Sequence, residues 1–165
     1  MKSIAYTFLA LGLMHNILLY HWTMAAVDPY SVVLGQEQRN RYLERKVNYY
    51  DAAHTALGAL PSGSKVLFWG ETRSYFCPHT AVVPTVFDYH PLPAWANAAA
   101  GSLDLANTLK QEKITHVFIN TFELSRLGTE NKFSEDGRKN WEEFKQRYMR
   151  PVFKDNYCQL YEITY

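Results

Sequence analysis

Six polar residues stand just beyond three apolar runs, and their types suit the handling of hydroxyls and phosphate. Glu71 and Arg73 follow the run 65–70, Asp88 and His90 follow a weaker run over 82–87, and Asn120 and Glu123 close and follow the run 114–120. Where such runs are parallel strands, their carboxyl ends share one edge of the sheet, and ligands bind in the crevice there. A carboxylate beside an arginine and a histidine can orient sugar hydroxyls, and Arg73 can take a phosphate. Glu71 and Asp88 can form a general acid/base pair where burial separates their pKa values. A local reading competes with this one: Glu71 pairs with Arg73 or caps nearby amides, and Asp88 is a turn residue ahead of Pro91. No residue is assigned a catalytic role, and the six stand as candidate ligand-binding residues.

Other chemistries lack their signatures. A metal centre needs three or more convergent ligands, and Cys77, His79, Asp88 and His90 lack the usual spacings, so no metal site is expected. The segment after the first run, Gly70–Arg73, has one glycine where a dinucleotide site needs G-x-G-x-x-G. No G-x-S-x-G elbow occurs, and Ser74 and Ser125 have no recognisable base. No cofactor is therefore expected. Seventeen Lys and Arg against 16 Asp and Glu leave a net charge of +1, which gives no electrostatic footprint for nucleic acid. Cys77 and Cys158 fit either core thiols or a disulfide. His116, at the start of the third run, and His54 read as structural. The aromatics Trp69, Tyr75, Phe76, Tyr89, Trp95 and Phe122 gather around the strand-end loops, where they suit a sugar-stacking face or a lipid interface, or simply a core.

The elements that position these residues alternate. The 3.6 period of Leu43, Val47, Tyr50 and Leu57 predicts a helix over 36–60, ended by the turn 61–64. Strand 65–70 follows, then an edge strand over 82–87 carrying Pro84, and a helical turn over 95–100. Ser102 is the expected cap of a helix reaching Lys113 with Leu103, Ala106 and Leu109 inward. Strand 114–120, a loop over 123–136 with one helical turn, a helix over 137–150 stopped by Pro151, and strand 157–163 complete the chain. The predicted fold is α/β: a small, mostly parallel four-stranded sheet flanked by helices in Rossmann-like layers, preceded by an apolar helix. At 165 residues and 47% hydrophobic content the chain is large enough for one such domain.

The apolar helix is read from residues 3–27, which contain no Asp, Glu, Lys or Arg. Ile4–Trp22 is close to the ~20 residues that cross a bilayer, with Tyr20 and Trp22 placed as an interfacial belt. His15 and Asn16 are tolerated in lipid only where their polar atoms find partners. A secretory signal, with a small-x-small site at Thr23–Ala25, and a buried core helix are the competing readings. The single Lys2 ahead of the apolar stretch keeps the N-terminus cytoplasmic and sends the rest across, while Arg39, Arg41, Arg45 and Lys46 pull the other way. The expected organisation is an apolar helix over 1–27, a connector over 28–35 and a soluble domain over 36–165.

Lys65–Tyr75 (KVLFWGETRSY), Phe87–Leu92 (FDYHPL), Ile114–Asn120 (ITHVFIN) and Glu123–Leu127 (ELSRL), in this order and spacing, resemble the soluble C-terminal domain of bacterial polytopic membrane glycosyltransferases similar to the dolichyl-phosphate-mannose protein mannosyltransferases. The resemblance takes in Tyr42–Arg45 upstream and Tyr161–Ile163 downstream, and the apolar opening resembles that family's last transmembrane helix. In such enzymes a polyprenyl-phosphate donor supplies the sugar, and the catalytic carboxylates lie between early transmembrane helices, which this chain lacks. The resemblance thus implies a membrane-anchored exoplasmic accessory domain without its own chemistry, whose partners are the membrane through residues 4–22 and a polytopic membrane subunit or glycan acceptor. The rival expectation is a free-standing small enzyme or sugar-phosphate binder using the strand-end cluster.

Overall fold

The computed structural model describes residues 2–85, 87–128 and 132–165, without the side chains of Lys2 and Leu127. Val86 of the expected second strand and Asn131 of the expected 123–136 loop lie outside the described residues. The chain separates into two compact units, Met1–Val47 and Asn48–Tyr165.

The first unit is built on α1 (Lys2–Val27), whose 26 residues span about 39 Å at 1.5 Å per residue. Its apolar side chains lie open within this unit, with Phe8 71% and Trp22 74% exposed. Two of its polar side chains are satisfied within the helix: Asn16 Nδ2 donates to Gly12 O at 2.9 Å and Thr7 Oγ1 to Ser3 O at 3.0 Å. Helix C-termini leave carbonyls unpaired. Here Lys46 Nζ donates to Ala26 O at 2.6 Å and the Tyr42 hydroxyl to Val27 O at 2.9 Å, both from α3 (Arg39–Lys46). The short α2 (Tyr30–Val33) lies between, and the Arg45 guanidinium bonds both Asp28 and Glu37 at 2.8 Å. These bonds tie α3 to the end of α1. The expected helix over 36–60 is therefore two elements: α3, and a π-helical segment Ala52–Leu57 that belongs to the second unit.

The second unit holds a five-stranded sheet of order β2-β1-β3-β5-β4. Its strands are β1 (Lys65–Trp69), β2 (Thr80–Val82), β3 (His116–Asn120), β4 (Met149–Lys154) and β5 (Cys158–Ile163). β1 runs parallel to β2 and β3, whereas β5 is antiparallel to both β3 and β4. The sheet is mixed and five-stranded, a correction to the four-stranded, mostly parallel expectation. The missed strand is β4, which begins where α7 (Glu135–Tyr148) ends. Pro151 there is no helix stop but part of an edge strand, where a residue without an N–H is tolerated and the register shifts between Pro151 and Phe153. β2 is likewise earlier and shorter than the expected 82–87.

β1 and β3 are buried on both faces, as their unbroken apolar runs require. Leu67, Trp69, Val117 and Ile119 meet α4 (Pro91–Ala98), α5 (Ser102–Gln111) and α7 in the main core. On the alternate positions Phe68 packs on Phe118 as a tilted pair with 5.0 Å between centroids. In α5 Leu105, not Leu103, faces inward; Leu103 is exposed. Ser102 lies inside the helix, and Asp104 takes over part of the expected capping by accepting from Ala100 N at 3.0 Å. The helical turn near 123–127 is α6 (Thr121–Leu127).

Candidate functional site

Gly70 turns the chain at the end of β1 with φ +80°, and a β-carbon there would come within 2.5 Å of both Asn120 O and Leu124 Cγ. Only glycine fits, and the turn delivers Glu71 against Asn120. The Glu71 side chain is buried and saturated. Its Oε1 accepts from Thr72 N at 3.0 Å, Arg73 N at 2.9 Å and Arg73 Nε at 2.7 Å. Its Oε2 accepts from Arg73 Nη2 at 2.7 Å and Asn120 Nδ2 at 2.9 Å. Asn120 Oδ1 in turn accepts from Glu123 N at 3.2 Å and caps α6. Glu123 pairs with Arg126 at 2.7 Å and stands 3.9 Å from Arg73. Arg73, its side chain 47% exposed, also lies over the Tyr49 ring with its guanidinium carbon 4.7 Å from the centroid. Burial and the neighbouring Glu71 charge push the Tyr49 phenol up to about 12.

Four of the six candidates thus come together: Glu71, Arg73, Asn120 and Glu123. Asp88 and His90 share no hydrogen bond or ion pair with them among the described residues. Asp88 is exposed and closes a turn on Thr85, accepting from its N–H at 3.0 Å and its hydroxyl at 2.7 Å. His90 caps α4: its Nε2 lies 2.8 Å from Phe68 O, and its Nδ1 accepts from Leu92 N at 3.1 Å. The carbonyl can only accept, so the ring is neutral and protonated on Nε2. Burial lowers its pKa to about 4. The Glu71 oxygens have no lone pair to spare for proton transfer, and this geometry matches the local reading of Glu71 and Asp88.

His116 is buried with Nδ1 2.9 Å from Thr115 Oγ1. Cys77 and Cys158 are both free, and burial holds the Cys158 thiol up to about 12, which keeps it from forming a thiolate. No group of three metal-ligating side chains converges among the described residues. The aromatic gathering divides: Tyr75 and Tyr89 are exposed, while Phe76 packs on Tyr50 and Trp69 is buried.

One cavity carries a feature that the sequence reading did not single out. About 180 Å³ in volume, it is walled by Trp69, Trp141, Phe133 and Leu124, with Lys145 and Gln159 among its polar side chains. Trp69 and Trp141 meet edge to face at 5.3 Å, and both indole nitrogens are buried without a hydrogen-bond partner among the described residues. Burying an N–H unpaired costs about 1–3 kcal/mol. The signal in the sequence was two tryptophans on core-facing positions, each bringing a donor that needs an acceptor.

No family model and no curated protein matches the chain. Among solved structures, the C-terminal globular domain of an oligosaccharyltransferase from Archaeoglobus fulgidus is similar at 10% identity and a TM-score of 0.49, over 72% of this chain and 97% of that chain. At that level the likeness decides nothing about what this chain binds or does.

Proposed function

We propose that the protein is a membrane-tethered accessory domain, with Asn48–Tyr165 on the exoplasmic side and no chemistry of its own, working beside a polytopic glycosyltransferase-like subunit or its glycan acceptor. The observation that carries the tether is α1: long enough to span, open along its apolar length, and with Asn16 and Thr7 bonded back to its own carbonyls. Water does not suit such a surface. The glycosyl-transfer association draws on the ordered motifs from Lys65 to Leu127, and the saturated Glu71 carboxylate supports a non-catalytic reading. The full chain is expected to remain in the membrane pellet after alkaline washing and to require detergent for release. A protease added outside spheroplasts is expected to digest a C-terminal tag. Recovery in the supernatant, or an N-terminus cut near Ala25, overturns the tether; a protected tag overturns the orientation.

A free-standing binder has one observation in its favour, the half-exposed Arg73 guanidinium at the strand ends. It requires inorganic phosphate to bind and Arg73→Ala to abolish that binding while the fold persists. An unresponsive parent chain removes it.

A further inference from the structure

We propose that α2 and α3 form a second membrane contact at the carboxyl end of α1, with Tyr30, Val33 and Leu34 entering the boundary of the acyl chains while Arg39, Arg41 and Lys46 hold phospholipid phosphates. This contact rests on the reading of α1 as a tether and is indifferent to which leaflet the end of α1 meets. Depth comes first. With Ile4–Trp22 filling the hydrocarbon core, Val27 lies about 7 Å beyond Trp22 along the helix, and a headgroup layer is about 5–7 Å thick. The carbonyls that end α1 therefore stand among headgroups. Two side chains of α3 reach them, Lys46 Nζ to Ala26 O at 2.6 Å and the Tyr42 hydroxyl to Val27 O at 2.9 Å, which brings α3 to the same layer.

A pair of tyrosines fixes α2. The Tyr30 hydroxyl lies 3.1 Å from that of Tyr20, a residue of the interfacial belt. Tyr30, Val33 and Leu34 are spaced i, i+3 and i+4 and share one face, so the face with the two aliphatic side chains is the one whose tyrosine meets the belt. Val33 is 75% and Leu34 67% exposed. Adjacent aliphatic side chains left open beside an apolar helix suit an interfacial segment, which buries them at the acyl boundary and turns its charges to the headgroups. Those charges are available. Arg45 is engaged by Asp28 and Glu37, and Ser31 Oγ also donates to Glu37. The side chains of Arg39 and Arg41 are exposed and make no hydrogen bond or ion pair among the described residues, and the Lys46 ammonium keeps two of its three protons. An open cavity of about 470 Å³, lined by Arg41, Ser31, Gln36 and the Asp28–Arg45–Glu37 network, leaves room for a headgroup. Over 28–47 the four cations face three carboxylates, Asp28, Glu37 and Glu44, so the stretch is nearly neutral. It selects the phosphate group by charge-assisted hydrogen bonds rather than a lipid by its overall charge.

The test places an environment-sensitive NBD label on Leu34→Cys in the full chain, with Cys77→Ser and the buried Cys158 left in place, and in a second chain on Leu13→Cys as the report on α1. The chains are reconstituted in nanodiscs of phosphatidylcholine and in nanodiscs of a digalactosyl lipid, which has no phosphate. In phosphatidylcholine the Leu34 label is expected to emit blue-shifted, to be quenched by a nitroxide at a shallow acyl position and to resist aqueous iodide. The Leu13 label is expected to be quenched best by a nitroxide deep in the acyl chain. Arg39→Gln combined with Arg41→Gln, at exposed side chains outside the Arg45 network, is expected to open the Leu34 label to iodide without moving the Leu13 signal, and the galactolipid is expected to do the same. A Leu34 label open to iodide in phosphatidylcholine while Leu13 stays in the acyl core overturns the second contact and leaves the tether standing. A Leu13 label open to iodide overturns both. Equal protection of Leu34 in the two lipids, or in the parent and the double variant, removes the phosphate contact and overturns the proposal.

Discussion

At the scale of single residues, the Glu71 cluster is a case of burial compensated bond by bond. A carboxylate removed from water is tolerated only when paired and fully hydrogen-bonded, and Glu71 meets five donors. Glu71→Ala strands the amide of Asn120, which is wholly buried, and is expected to destabilise the protein by about 3 kcal/mol in chemical denaturation. Arg73→Ala is expected to cost less, about 1–2 kcal/mol, because water screens the half-exposed guanidinium and replaces part of what it gives. Equal stability of parent and Glu71→Ala would show that the cluster does not hold the strand end. His90 makes a separate prediction. Its ring titrates near 6.5 in the unfolded chain and at about 4 when folded, so the unfolded state takes up more protons between those values. Stability from this group is full above pH 6.5 and lost as pH falls toward 4, by up to about 3 kcal/mol. His116, also lowered by burial, adds a slope of the same sign. His90→Asn keeps a capping side chain and is expected to flatten the acid side of the stability profile; an unchanged profile assigns the slope elsewhere. The residue types at the strand ends were legible because runs of apolar residues mark their own ends. Which partners those residues choose was not, since a Gly70 turn with positive φ decides it.

At the scale of elements, the legible parts are those with strong periodicity, and the errors have physical causes. β1 and β3 read plainly because strands buried on both faces carry unbroken apolar runs. β4 did not, because an edge strand is relieved of that pattern: Arg150, Pro151 and Val152 are exposed, and a proline inside looked like a helix terminator. The helix expected over 36–60 failed at residues 47–49, where periodic spacing continued across the break between α3 and the π-helical segment. Contacts between elements rest on small and amide residues that no periodicity signals. Asn140, 8% exposed on α7, donates to Ala96 O at 3.1 Å and Ala99 O at 2.8 Å, closing the C-terminal carbonyls of α4. Beside it, a β-carbon on Gly137 would collide with Asn97 Oδ1, so any larger residue there would have to displace the Asn97 side chain between α4 and α7. Asn140→Leu keeps the volume and removes both bonds; a loss of about 1–3 kcal/mol is expected in thermal or denaturant unfolding. A neutral result would mean that water replaces both donors at the helix end.

At the scale of the whole molecule, the two units divide the physical work unequally. Among the described residues every buried apolar side chain lies at Tyr49 or beyond, and the main core runs from Leu67 to Ile163. The unit Met1–Val47 buries none, and holds its shape through α1's own ladder and the bonds of Arg45, Tyr42 and Lys46. Stability that derives from apolar burial therefore belongs to Asn48–Tyr165, a length within the range in which a single core suffices. A chain begun at Asn48 is expected to fold alone, stay in the aqueous phase without detergent, and unfold with a free energy within about 1 kcal/mol of the full chain's. Its far-ultraviolet spectrum should lose helix in proportion to α1 and α3 and retain the sheet. Matching denaturation midpoints for the two chains would make the apolar helix an anchor added to a self-sufficient domain. A truncated chain that aggregates or unfolds would instead make the first unit part of the fold.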